Sequence, residues 1–112
     1  MKAMILENIC SLEENDQPLR MATLPEPVAR EGEIVIKVSA CGVCHTELDE
    51  IEGRTPPPVL PMVLGLQAVG RVMALGPGAK RFKAGDRAGV AWIFSACGFC
   101  DFCRTGRENL CS

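Results

Sequence analysis

Short apolar segments, separated by glycine and proline turns, dominate the chain and predict a mainly β protein. Glu33–Val38 alternates apolar and polar residues and is rich in β-branched side chains, which is typical of a half-buried strand. Gln67–Leu75 is predicted as a second strand, in which Gly70 indicates a bulge or a close approach of two backbones. Further strands are predicted at Leu19–Thr23 and Arg87–Ile93, and another apolar-rich segment is Lys2–Leu6.

One short helix interrupts this pattern. Cys44–Ile51 fits a helix of about two turns, with Thr46 as a candidate cap and acidic side chains near its start. Gly53 ends the helix, and the proline-rich segment 55–61 that follows is predicted as an extended loop. Many short strands around one helix indicate a small barrel or a sandwich.

The segment 92–112 has little periodicity and contains four cysteines with the spacing C-x2-C-x2-C-x7-C. Four thiolates complete a closed tetrahedral shell around zinc and leave no open position for water or substrate. Gly98 and Gly106 allow the tight turns that such a shell requires. We therefore predict a structural zinc site at Cys97, Cys100, Cys103 and Cys111.

Two alternatives to zinc remain at these cysteines. An iron–sulfur cluster is one, but bacterial ferredoxins have three residues between the third and fourth cysteines and a proline after the fourth. Here the gap is seven residues and Ser112 follows. Four unbound buried thiols are the other alternative.

Composition and charge narrow the class of protein. The chain has 112 residues, the length of one domain, and a formal net charge of −2. Residues 1–56 carry five basic and eleven acidic side chains (net −6), whereas residues 57–112 carry seven and three (net +4). The basic residues are scattered, which favours ordinary surface variation over a polyanion site and predicts no nucleic-acid partner.

The chain shows no signal peptide, and its apolar runs are shorter than the roughly 20 residues that span a bilayer. We therefore expect no membrane partner and a cytoplasmic location. Seven cysteines in such a chain indicate metal or redox chemistry more than disulfides.

A separate cysteine pair, Cys41-Gly-Val-Cys44, lies between a predicted strand and the predicted helix. Read alone, this setting is that of a thioredoxin-like redox pair. A thioredoxin fold needs alternating strands and helices, however, and this chain supplies almost no helix.

Four longer motifs occur in order along the chain: CGVCHTELDEIEG, VLPMVLGLQAVGRVMALG, RFKAGDRAGVAW and CGFCDFCRTGRENLC. Together they closely resemble the zinc-dependent alcohol dehydrogenases of the medium-chain dehydrogenase/reductase family, in particular bacterial members similar to cinnamyl-alcohol dehydrogenases. The resemblance covers essentially all 112 residues.

The resemblance implies a mainly β, GroES-like barrel with a short helix and a cysteine-rich structural zinc lobe. Residues 1–112 would be the N-terminal catalytic domain, with the lobe at 92–112, and a Rossmann domain for NAD(P) would follow it. In such enzymes one zinc polarises the oxygen of an alcohol or aldehyde and hydride passes to or from the nicotinamide. The four cysteines match the lobe that holds a second, structural zinc.

The resemblance also assigns candidate roles to single residues. Cys44 matches the first ligand of the catalytic zinc, and His45 matches a residue that approaches the cofactor phosphate. Thr46 matches the hydroxyl that relays the alcohol proton, and Trp92 matches a wall of the substrate pocket. Each has a plain alternative: a buried apolar thiol for Cys44, a helix cap for Thr46 and core packing for Trp92.

The sequence departs from the family pattern at Leu66. The family places a histidine there as the second ligand of the catalytic zinc, and leucine offers a metal no lone pair. The third ligand and the G-x-G-x-x-G fingerprint of the Rossmann half are not found in these 112 residues. We therefore expect one structural zinc and no catalysis by this chain alone.

The family's barrel is completed by strands that return after the Rossmann domain. Without them, strand edges and apolar surface are left open, so we expect self-association. The alternative functions are a stand-alone zinc-binding interaction module that has lost dehydrogenase activity and, less favoured by the scattered basic residues, a nucleic-acid-binding zinc ribbon.

Overall fold

Two antiparallel sheets and one short helix account for most of the regular structure in the computed structural model, which describes residues 1–93 and 95–111. The strands are β1 (Lys2–Leu6), β2 (Leu19–Thr23), β3 (Ile34–Gly42), β4 (Gln67–Leu75) and β5 (Arg87–Val90). The helices are α1 (His45–Ile51), the single turn α2 (Asp101–Arg104) and a 3-10 turn at Glu108–Leu110. The predicted mainly β fold is confirmed, and Phe94 and Ser112 of the predicted lobe lie outside the described residues.

The first sheet is a two-stranded ribbon of β1 and β2, in which Lys2 lies opposite Thr23 and Leu6 opposite Leu19. The loop that precedes β4 joins its edge, because Leu6 and Met62 exchange two backbone hydrogen bonds of 2.8 and 3.0 Å. The second sheet has the order β3-β4-β5. Leu6 is fully buried.

Three strand boundaries differ from the prediction, the smallest difference being that β3 begins at Ile34 instead of Glu33. β3 continues four residues beyond the predicted end at Val38, because a bulge between Val38 and Ala40 keeps it paired with β4 as far as Gly42. β5 ends at Val90 instead of Ile93, and its register pairs it with only four residues of β4. Trp92 consequently lies in the segment after the sheet.

Gly70 marks a close approach of two strands, as its position in the sequence predicted. A Cβ atom at Gly70 would lie 2.1 Å from the carbonyl oxygen of Lys37 on β3. Only glycine lets the two backbones come this close. The register of the two strands shifts at two places, with one extra residue on β3 at Ser39 and one on β4 at Met73, so neither bulge lies at Gly70.

The helix α1 begins at His45, so Cys44 is its N-cap residue and Thr46 lies within the first turn. The prediction of Thr46 as the cap was therefore wrong. Instead, the Glu47 carboxylate accepts a hydrogen bond of 2.7 Å from the Cys44 backbone N–H. A glutamate three residues after the cap satisfies one of the donors that every helix start leaves free.

The apolar core is small. Its buried side chains are Ile5, Leu6, Ile51 and Val72, whereas Val38 and Val90 of the second sheet are about half exposed. An open groove of about 760 Å³ runs beside these two valines. In the described part of the chain, no helix has the length and apolar character needed to cross a bilayer.

Candidate metal centre

Four cysteine sulfurs converge in the lobe after the second sheet. The Sγ atoms of Cys97, Cys100, Cys103 and Cys111 all lie within 4.8 Å of one another, and those of Cys97 and Cys103 are 3.9 Å apart. Zn–S bonds of about 2.3 Å in a tetrahedron place neighbouring sulfurs about 3.8 Å apart. The observed spacing therefore suits one ion held by all four sulfurs.

Local backbone structure brings the sulfurs together. Cys100 is the N-cap of α2 and Cys103 lies within that helix, so two ligands share one turn. Gly98 and Gly106 have φ angles of 78° and 72°, which few other residues adopt, and they reverse the chain on either side of α2. These are the turns that the sequence predicted.

Backbone N–H groups point at the sulfurs. Cys100 N–H donates to Cys97 Sγ over 3.3 Å, Cys103 N–H to Cys100 Sγ over 3.5 Å, and Cys97 N–H to Cys111 Sγ over 3.3 Å. Hydrogen bonds from backbone amides stabilise thiolates and orient them toward a metal.

The thiols of the cluster differ in acidity. Hydrogen bonds from the Phe99 and Cys100 N–H groups lower the pKa of Cys97 to about 6. The Gly98 N–H lowers the pKa of Cys103, but burial and the neighbouring sulfurs outweigh it and raise that pKa to about 12. All four sulfurs can be thiolates together only when a cation neutralises them, and metal binding would release protons.

The donor set fits zinc and makes the site closed. Four sulfurs fill a tetrahedral shell, so a bound ion has no free position for water or a substrate oxygen. The lobe has little apolar packing, because neither α2 nor the 3-10 turn contains a buried residue. Phe102 is covered by the Arg107 guanidinium, which stacks over its ring at 5.4 Å. An ion held by these four sulfurs would therefore have a structural role.

The other candidate residues lie around the start of α1. Cys44 and His45 are exposed, with the His45 side chain 76% accessible and its Nε2 3.6 Å from Asp49 Oδ1. Thr46 is half-buried in the first turn. Trp92, 58% exposed, lies beyond the end of β5 and not in the core.

Two glutamates of α1 form a feature that sequence reasoning missed. Glu47 is only 6% exposed, and Glu47 Oε1 and Glu50 Oε2 are buried without a hydrogen-bond partner in the described part of the chain. Burial raises the pKa of Glu47, but backbone N–H groups, including those of Cys44 and Leu66, lower it below its ordinary value. Burial raises the pKa of Glu50, and the charge of Glu47 raises it further.

The hydrogen bond to Glu47 brings Leu66 beside the start of α1, where the family pattern expects a histidine. The half-buried Leu66 side chain has no atom that binds a metal. Across residues 1–93 and 95–111, no group of three or more Cys, His, Asp or Glu side chains other than the four lobe cysteines comes together to hold an ion. The residues around the start of α1 therefore do not fit a catalytic zinc by themselves.

Comparison with known proteins decides the family. A family model described as the alcohol dehydrogenase GroES-like domain matches residues 30–112. The chain belongs to this family. The match confirms the GroES-like fold and the family resemblance that the four sequence motifs indicated.

Individual relatives and solved structures agree with this result. The chain is 42% identical over 101 residues to an alcohol dehydrogenase of Geobacillus stearothermophilus. The aligned residues make up 89% of this chain and 30% of that enzyme. The crystal structure of AibC matches with a TM-score of 0.88 at 37% identity, over 100% of this chain and 30% of AibC. An NAD-dependent alcohol dehydrogenase structure matches with a TM-score of 0.81 at 32% identity, over 99% and 31%. The chain thus spans about 30% of the length of the proteins it matches.

Proposed function

We propose that residues 1–112 are the N-terminal GroES-like domain of a zinc-dependent, NAD(P)-dependent alcohol dehydrogenase, with one structural zinc in the lobe 92–112. The observation that carries this proposal is the convergence of four sulfurs within 4.8 Å in a chain whose residues 30–112 match the GroES-like domain of that family. When bound, zinc cross-links a lobe that has almost no apolar core. The cofactor NAD(P) and a small alcohol or aldehyde would be bound only by the full-length enzyme.

The family roles of single residues remain part of this proposal. Cys44 and His45 are exposed at the first turn of α1, where a thiol and an imidazole can meet groups from outside the chain. Thr46, half-buried beside them, would relay the alcohol proton, and the exposed Trp92 would form a wall of the substrate pocket. The homology to an NAD-dependent alcohol dehydrogenase supports a cofactor beside His45.

We propose further that this chain alone does not oxidise alcohols. This second proposal is supported by Leu66, which lies beside α1 at the position where the family has a histidine ligand. The leucine side chain offers no lone pair to a metal. A single cysteine is too few donors for a catalytic zinc, which normally has three protein ligands. We place the protein in the cytoplasm, where seven unpaired cysteines would stay reduced.

Metal analysis tests the zinc assignment. We expect one zinc per purified chain, and Cys103→Ser should lose most of it because three ligands hold structural zinc poorly. Cys10→Ser is the matched control, since Cys10 is also a free cysteine but lies outside the lobe, and it should keep one zinc. Two zinc ions per chain, or a Cys103→Ser variant that still binds one, would contradict the proposal.

Activity assays with the purified chain test the proposal that it does not oxidise alcohols by itself. We expect no NAD- or NADP-dependent oxidation of primary alcohols, whether or not zinc is added. Measured turnover that disappears in Cys44→Ser would show that this chain assembles a catalytic site after all.

The second candidate function is a stand-alone zinc-binding interaction module. Leu66 favours it, because a protein that has lost catalysis no longer needs a histidine there. The open apolar groove would then be a contact surface, and self-association through it is our proposal for the isolated chain. Activity of a longer form of this protein that carries Leu66 would exclude the module.

A further inference from the structure

Three basic side chains lie in one row across the second sheet. The register places Lys37 of β3 opposite Arg71 of β4, and Arg71 opposite Arg87 of β5. Directly paired residues of antiparallel strands point to the same face. Their neighbours Gly70 and Val72 are buried on the opposite face, so the row lies on the outer face of the sheet.

Such a row is unfavourable without a counter-charge, because like charges directly opposite each other on neighbouring strands repel. Within residues 1–93 and 95–111, none of the three forms an ion pair with a carboxylate. Inside the described part of the chain no carboxylate offsets the positive charge of the row, so a bound anion could neutralise it.

Two members of the row, Arg71 and Arg87, line a shallow cavity. The cavity has a volume of about 390 Å³, and its other lining residues are Ser39, Val69, Gly70, Ala88 and Gly89. Arg71 Nη1 donates to the Gly85 carbonyl over 2.9 Å, which holds its guanidinium in place. A fixed guanidinium loses less conformational freedom when it binds a ligand.

We propose that this outer face binds a phosphate group of a small molecule through Arg71 and Arg87, with Ser39 beside them in the cavity and Lys37 opposite Arg71 in the strand register. Planar guanidinium groups bind phosphate through paired, charge-assisted hydrogen bonds, and two positive charges suit a dianion. Arg71 lies four residues along β4 from Gln67, about 13 Å from the end of the strand that faces α1. The site is thus separate from Cys44 and independent of the function proposed above.

Titration of the zinc-loaded, nitrogen-15-labelled chain with inorganic phosphate at constant ionic strength tests this site. We expect saturable shifts of the Arg71 and Arg87 Nε–H signals in the NMR spectrum. Arg87→Gln should weaken phosphate binding by about tenfold or more, as expected for a lost pair of charge-assisted hydrogen bonds. Arg71→Gln serves as a second variant with the same expected loss.

Lys2→Gln is the charge-matched control, because it removes one positive charge from the other sheet and should leave phosphate affinity unchanged. Acetate at the same ionic strength should give no saturable shift at these arginines. Equal shifts with acetate, or an Arg87→Gln chain that binds phosphate as the wild type does, would overturn the proposal.

Discussion

At the scale of single residues, Gly70 is a tight constraint within the second sheet. Because a Cβ atom there would lie 2.1 Å from a backbone oxygen of β3, Gly70→Ala must force the two strands apart. We expect this substitution to lower the free energy of unfolding by about 3 kcal/mol, the upper range for overpacking. The urea dependence of the circular dichroism signal measures it.

Gly42→Ala provides the control for this prediction. Gly42 also lies on the β3–β4 pair, but its new Cβ would meet the flexible end of Gln67 at 3.2 Å, which can move away. We expect a change within about 1 kcal/mol. Equal destabilisation by both substitutions would mean that close strand approach does not explain Gly70.

Residue-level features were predictable where chemistry depends on spacing along the chain. The four lobe cysteines were found because C-x2-C-x2-C-x7-C places the ligands within one short loop, where the chain itself limits their separation. Glu47 was missed because its burial depends on tertiary packing. Its position three residues after Cys44 was the available signal, since that spacing is typical of a helix start.

At the scale of elements, an ion pair lies at the end of the ribbon formed by β1 and β2. Glu7 follows β1 and accepts two hydrogen bonds from Arg20 of β2, of 2.6 and 2.9 Å. The hydrogen bonds from Arg20 lower the pKa of Glu7 below its ordinary value of 4.5; burial acts against them, and the charge of Arg20 lowers the pKa further. The folded state therefore holds the proton less tightly than the unfolded state.

This pair gives a pH dependence of defined sign. Its contribution to stability is present above about pH 4.5 and is lost as the pH falls through the lowered pKa of folded Glu7. In Arg20→Gln, we expect the pKa of Glu7, followed by NMR of its carboxyl carbon, to rise toward 4.5. Arg81→Gln, which removes an arginine elsewhere, should leave it unchanged; an unaltered pKa in Arg20→Gln would refute the pairing.

Element types followed from the sequence better than element ends did. β1, β2 and β4 have the predicted bounds, because their apolar patterns stop at turn-forming residues. β3 and β5 do not, since the length of a paired strand depends on its neighbour: the bulge at Ser39 prolongs β3, and β5 lacks a partner beyond Val90. The single turn α2 has too few residues for a periodic pattern.

At the scale of the whole molecule, the apolar groove is wide open. Val38 and Val90 line it and are 55% and 47% exposed. Lysines at both positions should weaken self-association, because burying them would desolvate two charges. Sedimentation velocity should show the wild type associating as concentration rises and the Val38→Lys/Val90→Lys variant remaining monomeric.

Val28→Lys is the matched control for the groove. Val28 is 83% exposed but does not line the groove, so its lysine variant should associate as the wild type does. A wild-type chain that stays monomeric at every concentration would contradict our proposal of self-association.

Long-range arrangement was the least predictable property. The sequence showed basic residues scattered between positions 37 and 87, and only the register of three strands brings Lys37, Arg71 and Arg87 into one row. Pairing between strands far apart in the chain leaves no local pattern, because each strand fixes only its own alternation of faces. The apolar groove likewise depends on long-range arrangement, because residues of both sheets line it.

The close packing of the four lobe sulfurs also makes the metal-free chain sensitive to oxidation. Cys97 Sγ and Cys103 Sγ are already 3.9 Å apart, and a disulfide bond needs about 2.05 Å, so a small local movement suffices to join two of them. A lobe that spends time without zinc in an oxidising buffer would therefore become covalently locked and unable to rebind the ion. A zinc ion bound by the four thiolates would protect the reduced state of the lobe, and rebinding after oxidation would require a reductant.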